Sequence, residues 1–165
     1  MDRDVYVGET GEVQIEGGCG IENTGDQQTR HDGSHRLFIG EKSRIRYVER
    51  HDGQGEGTGE RVMNPQTEVE LGEGSEMEME TVQIRGVDST ERSTKAKLAD
   101  GAKLTVTERL MTHGKQRAES LFEVDLDGTD SSTSIVSRSV ARDDSYQIFR
   151  SVMHGNGRCS GHAEC

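Results

Sequence analysis

The residues with the most chemistry in this chain lie toward its two ends. His154 is followed by Cys159-Ser160-Gly161-His162-Ala163-Glu164-Cys165, which gathers thiols, imidazoles and a carboxylate in one short segment. These are the ligand types of iron, iron–sulfur clusters and zinc. Cys-x2-His-x2-Cys is not a zinc-finger spacing and has no second half. Alternation along a strand would also set Cys159 and His162 on opposite faces. A glycine-rich loop with incidental polar residues is the competing reading of this segment. The second group is Glu16-Gly17-Gly18-Cys19, followed by His31-Asp32-Gly33-Ser34-His35 and then Glu49-Arg50-His51. Imidazoles beside a thiol tune its pKa or share a metal with it. Spacing places His31 and His35 on either side of a turn and His51 one strand later, and by itself it reads these histidines as solvated loop positions. Glu76-Met77-Glu78-Met79-Glu80 reads as a strand with Met inward and Glu outward, so its thioethers fill a core rather than bind copper. The chain has no Gly-x-x-x-x-Gly-Lys phosphate cradle and no serine nucleophile elbow.

A repeat supplies the elements that must position these groups. Val7-Gly8-Glu9, Ile39-Gly40-Glu41, Leu71-Gly72-Glu73, Leu98-Ala99-Asp100 and Val124-Asp125-Leu126-Asp127 align. The equivalent positions 8, 40, 72, 99 and 126 are spaced 32, 32, 27 and 27, and a further 27 takes Gly128 to Gly155. Each unit reads as strand, tight polar turn, strand. Alternating pairs precede the turns (Leu37 and Ile39, Val69 and Leu71, Ala96 and Leu98) and follow them (Ile45 and Tyr47, Met77 and Met79, Leu104 and Val106). Period two with polar residues between marks half-buried strands, and no segment sustains a 3.6-residue period. A unit that cannot bury its own face must stack on its neighbours, which predicts a single-domain, all-β solenoid with a thin continuous core. A meander of antiparallel hairpins is the competing architecture. The glycine-rich stretch Arg50–Gly59 reads as a mobile surface loop.

Composition narrows the function classes. The chain has 165 residues, a net charge of −11, 29% hydrophobic residues and 4% aromatics. So acidic and aromatic-poor a surface is a poor nucleic-acid binder. The longest apolar run, Leu37-Phe38-Ile39, is far too short to span a bilayer, so no membrane partner is expected. Three cysteines and no secretory signal point to a reducing cytoplasm with free thiols. The acids are spread over solvent faces rather than paired in a cleft, which argues against a hydrolase.

Several stretches together resemble the core of the SufB/SufD family, the scaffold proteins of SUF iron–sulfur cluster assembly. They are Ile15-Glu16-Gly17-Gly18-Cys19, His31–His35 entering Leu37-Phe38-Ile39-Gly40, Arg44-Ile45-Arg46-Tyr47, Met77–Glu80 through Gly86–Thr90, Ser132–Arg142, and Gly161-His162-Ala163-Glu164-Cys165. The resemblance runs over nearly the whole chain and is closest to short members from archaea and anaerobes. It implies a right-handed parallel β-helix and a non-enzymatic role: accepting sulfur and iron, holding a nascent cluster and passing it on. By this resemblance Cys19, with Glu16 nearby, corresponds to a sulfur acceptor. Cys165 corresponds to the cysteine associated with cluster assembly, with Cys159 and His162 as further cluster or metal candidates and His31 and His35 as auxiliary ones. The implied cargo is iron and a transient iron–sulfur cluster. The implied partners are a SufC-type ABC ATPase, a second SufB/SufD-like subunit, a sulfur donor and recipient apoproteins. Family members continue past this cysteine, so residues 1–165 are expected to be an incomplete β-helical core. Its last rung, with Ile148, Phe149, Val152 and Met153 nearby, would then pair with a like subunit, increasingly so with salt. The reading from a different class is a passive metal-binding or structural solenoid subunit.

Overall fold

The computed structural model describes residues 3–8 and 11–165, without the side chains at 3, 12, 13 and 19. The described residues form twelve strands: β1 (Arg3–Val7), β2 (Gly11–Glu22), β3 (Thr29–Ile39), β4 (Ser43–Gln54), β5 (Arg61–Leu71), β6 (Glu76–Gln83), β7 (Ser89–Leu98), β8 (Lys103–Thr112), β9 (Arg117–Leu126), β10 (Ser131–Ala141), β11 (Tyr146–Gly155) and β12 (Cys159–Glu164). Odd strands build sheet A in the order β1-β3-β5-β7-β9-β11, and even strands build sheet B in the order β12-β10-β8-β6-β4-β2. Every pairing is parallel, so the chain crosses from one sheet to the other at each corner and climbs one rung per two strands. The result is a parallel β-solenoid of about five turns. The hairpin meander is excluded.

Register explains the repeat and corrects its length. Val7, Ile39, Leu71, Leu98, Leu126 and Gly155 stand in one ladder. The steps are therefore 32, 32, 27, 28 and 29, not a steady 27 in the later turns. One additional residue enters at the corner 113–116 and another at 127–130, where no apolar alternation marks the phase. Lys42, Gly74, Gly101 and Asp130 occupy equivalent corner positions, and all four have positive φ. Glycine adopts that conformation without strain, and Lys42 and Asp130 carry a modest cost for it.

The expected inward pairs meet between the two sheets. Leu37, Ile39, Ile45, Tyr47, Val69, Leu71, Met77, Met79, Ala96, Leu98, Leu104, Val106, Phe122, Val124, Leu126 and Ile135 make one buried cluster. Met77 and Met79 are core residues, with Glu78 exposed between them. The glycine-rich stretch after Arg50, expected as a surface loop, begins as strand and is then tied down by hydrogen bonds. β4 runs on to Gln54, and the following residues stack on the 23–28 loop below. Gly57 and Gly59 donate to the carbonyls of Asn23 and Gly25 at 2.9 and 3.0 Å. Buried Asn23 donates from Nδ2 to Gln27 O and Gly59 O, and Arg61 donates to Gln54 O and Gly55 O. The glycines serve close backbone approach rather than looseness: a Cβ on Gly53 would lie 1.6 Å from Gly86 O.

Candidate functional site

Period-two alternation continues past the apolar pairs into charged residues, and the solenoid buries them. In β4 the inward series Ile45, Tyr47 runs on to Glu49 and His51. In β8 the series Leu104, Val106 runs on to Glu108 and Leu110. Glu49, Thr81, Glu108 and Ser137 form one ladder along sheet B, and Arg92, Thr67, Thr94 and Ser120 face it from sheet A. The interior therefore has an apolar half and a polar half.

Buried charges persist only when paired and hydrogen-bonded. Arg92 donates from Nη1 to Thr81 Oγ1 at 3.0 Å and to Glu108 Oε1 at 3.4 Å, and from Nη2 to Gln83 Oε1 at 3.1 Å. Glu108 also accepts from Ser120 and Ser137. Glu49 accepts from His51 Nε2 at 2.8 Å and from Thr67 Oγ1 at 3.1 Å, and His35 Nδ1 lies 3.7 Å from its carboxylate. Burial pushes the Glu49 carboxyl up, but the His51 hydrogen bond and the charges of His51, Arg92 and His35 outweigh it, leaving its pKa below the usual value. Burial dominates at His51 and holds its pKa below the usual value. An anionic Glu49 beside a neutral His51 follows, with the ring proton on Nε2. Arg92 Nε and Thr94 Oγ1 have no hydrogen-bond partner among the described residues. The row can thus hold charge inside the solenoid and give or take a proton at Glu49–His51.

The expected site residues fall in different places. Backbone register sets Cys19 level with His51, one rung away, while its side chain lies outside the described residues. Glu16 is exposed and does not share the parity of position 19. His31 and His35 do not flank a turn. Asp32-Gly33-Ser34 continues as strand, so both histidines lie half-buried on the same face of β3. His51 is not solvated but fully buried. At the other end, half-buried Cys159 packs against the apolar core, while Cys165 follows β12 and is exposed. His162 is exposed and contacts Glu164 through Nε2 at 3.3 Å. The structure does not gather Cys159, His162 and Cys165. Among the described residues no group of three or more His, Cys, Asp or Glu side chains could hold a metal ion. Arg92 and Glu108 escaped the sequence reading. Their signal was a charged residue at the in-phase position of an apolar alternation.

Among the described residues no helix is long and apolar enough to cross a membrane. No curated protein and no solved structure gives a significant match. Residues 5–161 match the family model described as SUF system FeS cluster assembly, SufBD core domain. A match over nearly the full length, on an all-parallel β-solenoid whose charged interior begins one rung from Cys19, leads to one conclusion: the chain belongs to the SufBD core domain family and has its role in SUF iron–sulfur cluster assembly.

Proposed function

We propose that this chain is a non-enzymatic scaffold component in the cytoplasm. Cys19 receives sulfur, and Cys165 anchors iron or a nascent iron–sulfur cluster as cargo. A SufC-type ATPase and a second SufB/SufD-like subunit are its partners in that work. The observation that carries the proposal is the register of Cys19 with His51, whose ring is held by the buried carboxylate of Glu49. Sulfur acceptance requires a thiolate, and a neutral imidazole one rung away is the group type that takes a thiol proton near neutral pH. Cys165, exposed beside β12, is open to iron and to a partner's ligands. Dispersal of Cys159, His162 and Cys165 favours a second reading, a passive metal-binding or structural subunit.

Anaerobic reconstitution with ferrous iron and sulfide separates the roles. The wild-type chain is expected to develop visible sulfur-to-iron charge-transfer absorption, and Cys165→Ser to lose it. Cys19→Ser should keep that absorption when free sulfide is supplied, yet fail to take up sulfur from a persulfide donor. Full absorption in Cys165→Ser would overturn its assignment. Unchanged sulfur uptake in Cys19→Ser would overturn the other.

A further inference from the structure

The outer face of sheet B is mostly a lattice of charge pairs. Glu76 is shared by Arg44 and Lys103, and Glu80 by Arg46 and Arg109, with N···O distances of 3.0–3.5 Å. That pattern stops toward the ends of the strands. Ile84, directly beyond the last ladder pair of β6, comes level with Met111 of β8, and Met111 pairs in register with Val140 of β10. These three side chains are 48%, 38% and 49% exposed. Strands spaced about 4.8 Å apart make this an apolar stripe of about 10 Å along the solenoid axis. One ladder step inward on the same face lie Arg50, Val82, Arg109 and Arg138 in register. Arg50 and Arg138 are exposed and, unlike Arg44, Arg46 and Arg109, make no ion pair among the described residues.

Unpaired guanidinium groups around an apolar stripe stand out on a chain whose net charge is −11. Uncommitted cations collected there serve neither the folded core nor its surface lattice, and exposed apolar side chains rimmed by polar ones mark contact surfaces. Arginine suits this role because its planar fork donates two parallel N–H bonds to the two oxygens of one carboxylate. Asp52 begins the same outer row, and Asp143 lies in the turn after β10, with its carboxylate accepting from Gly114 N. They temper the positive rim without closing it. We propose that this face, centred on Ile84, Met111 and Val140 with Arg50 and Arg138 as its rim, docks an acidic amphipathic segment of a partner protein. The partner's apolar side chains cover the stripe, and its carboxylates meet the arginines. Like-charge repulsion from the rest of the surface restricts the contact to partners that present acid there and apolar surface beside it.

The test uses a helical peptide with leucines along one face and glutamates flanking them, its counterpart with lysine in place of glutamate, phosphatidylserine-containing vesicles, and a single-stranded oligonucleotide. Fluorescence anisotropy is read at low and high salt, and circular dichroism checks the fold of each variant. The acidic peptide is expected to bind, to weaken as salt screens the rim, and to lose about tenfold or more in affinity, equivalent to about 1.4 kcal/mol, with either Met111→Ser or the pair Arg50→Glu and Arg138→Glu. The lysine peptide is expected not to bind. Binding unaffected by these substitutions, equal binding of the lysine peptide, no binding of the acidic peptide, or tighter binding of vesicles or oligonucleotide would each overturn the proposal.

Discussion

Replacing Arg92 with Met tests whether the polar half of the interior is held by its own pairing. The guanidinium is 2% exposed, the carboxylate of Glu108 is fully buried, and the two lie 3.4 Å apart. Met matches much of the arginine's length but removes the only cation contacting Glu108 among the described residues, together with the donors to Thr81 and Gln83. Glu108 keeps Ser120 and Ser137, which solvate it in part. Removing one partner of a buried pair costs about 3–5 kcal/mol. In a chain of this size, at about 2–4 °C per kcal/mol, the melting temperature should fall by about 10 °C. Adding Glu108→Gln removes the stranded charge, keeps an acceptor for one serine hydroxyl and offers an N–H donor to the other's oxygen, and should recover about 2 kcal/mol or more. Urea unfolding of wild type, both single variants and the double variant closes the cycle. A single-variant loss below about 1 kcal/mol, or a double variant no better than the sum of the singles, would refute the reasoning.

Acidification should unsettle the same row in two steps. His51 has a depressed folded-state pKa, so the unfolded chain binds the proton first, and stability falls as pH drops below the ordinary value of 6.5. Glu49 is also depressed, so its contribution is complete above 4.5 and is lost as pH falls through its folded value. Melting temperatures measured from neutral to acid pH should therefore decline from about pH 6.5, and His51→Gln should remove the first part of that decline; an unchanged profile would count against a buried neutral His51. Gly53→Ala should cost about 2 kcal/mol or more, because its Cβ meets the Gly86 backbone, whereas Gly25→Ala, with open space around it, should stay within about 0.5 kcal/mol. Equal effects in urea unfolding would show that the two rungs do not approach as described.

Periodicity made the architecture legible because a thin solenoid leaves little choice of inward residue. Met77 and Met79, Leu104 and Val106, and Phe122 and Val124 each declare their face by alternation alone. Spacing of 27 to 32 residues between equivalent positions is long for tight hairpins but does not by itself separate parallel from antiparallel pairing; the family resemblance implied the parallel form, and the ladders show it. The polar row was harder to see because charge and phase give opposite answers at Glu49, Arg92 and Glu108. Phase puts these residues inside, charge puts them outside, and here phase wins because partners from the facing sheet satisfy them. His31 and His35 misled for the reverse reason. Asp32-Gly33-Ser34 has turn composition, yet the parallel ladder with β5 holds it extended. Cys159 and His162 have opposite parity along β12, as alternation implied, and Cys165, in phase with Cys159, falls beyond the strand's end and is exposed rather than turned toward the core.

The central claim concerns cargo, and the most direct measurement is the content of iron, acid-labile sulfide and zinc per chain in protein purified without oxygen. Iron and sulfide in matching amounts, both lost in Cys165→Ser, are the result the account predicts. Zinc in stoichiometric amount with no sulfide, or iron and sulfide unchanged in Cys165→Ser, would contradict it.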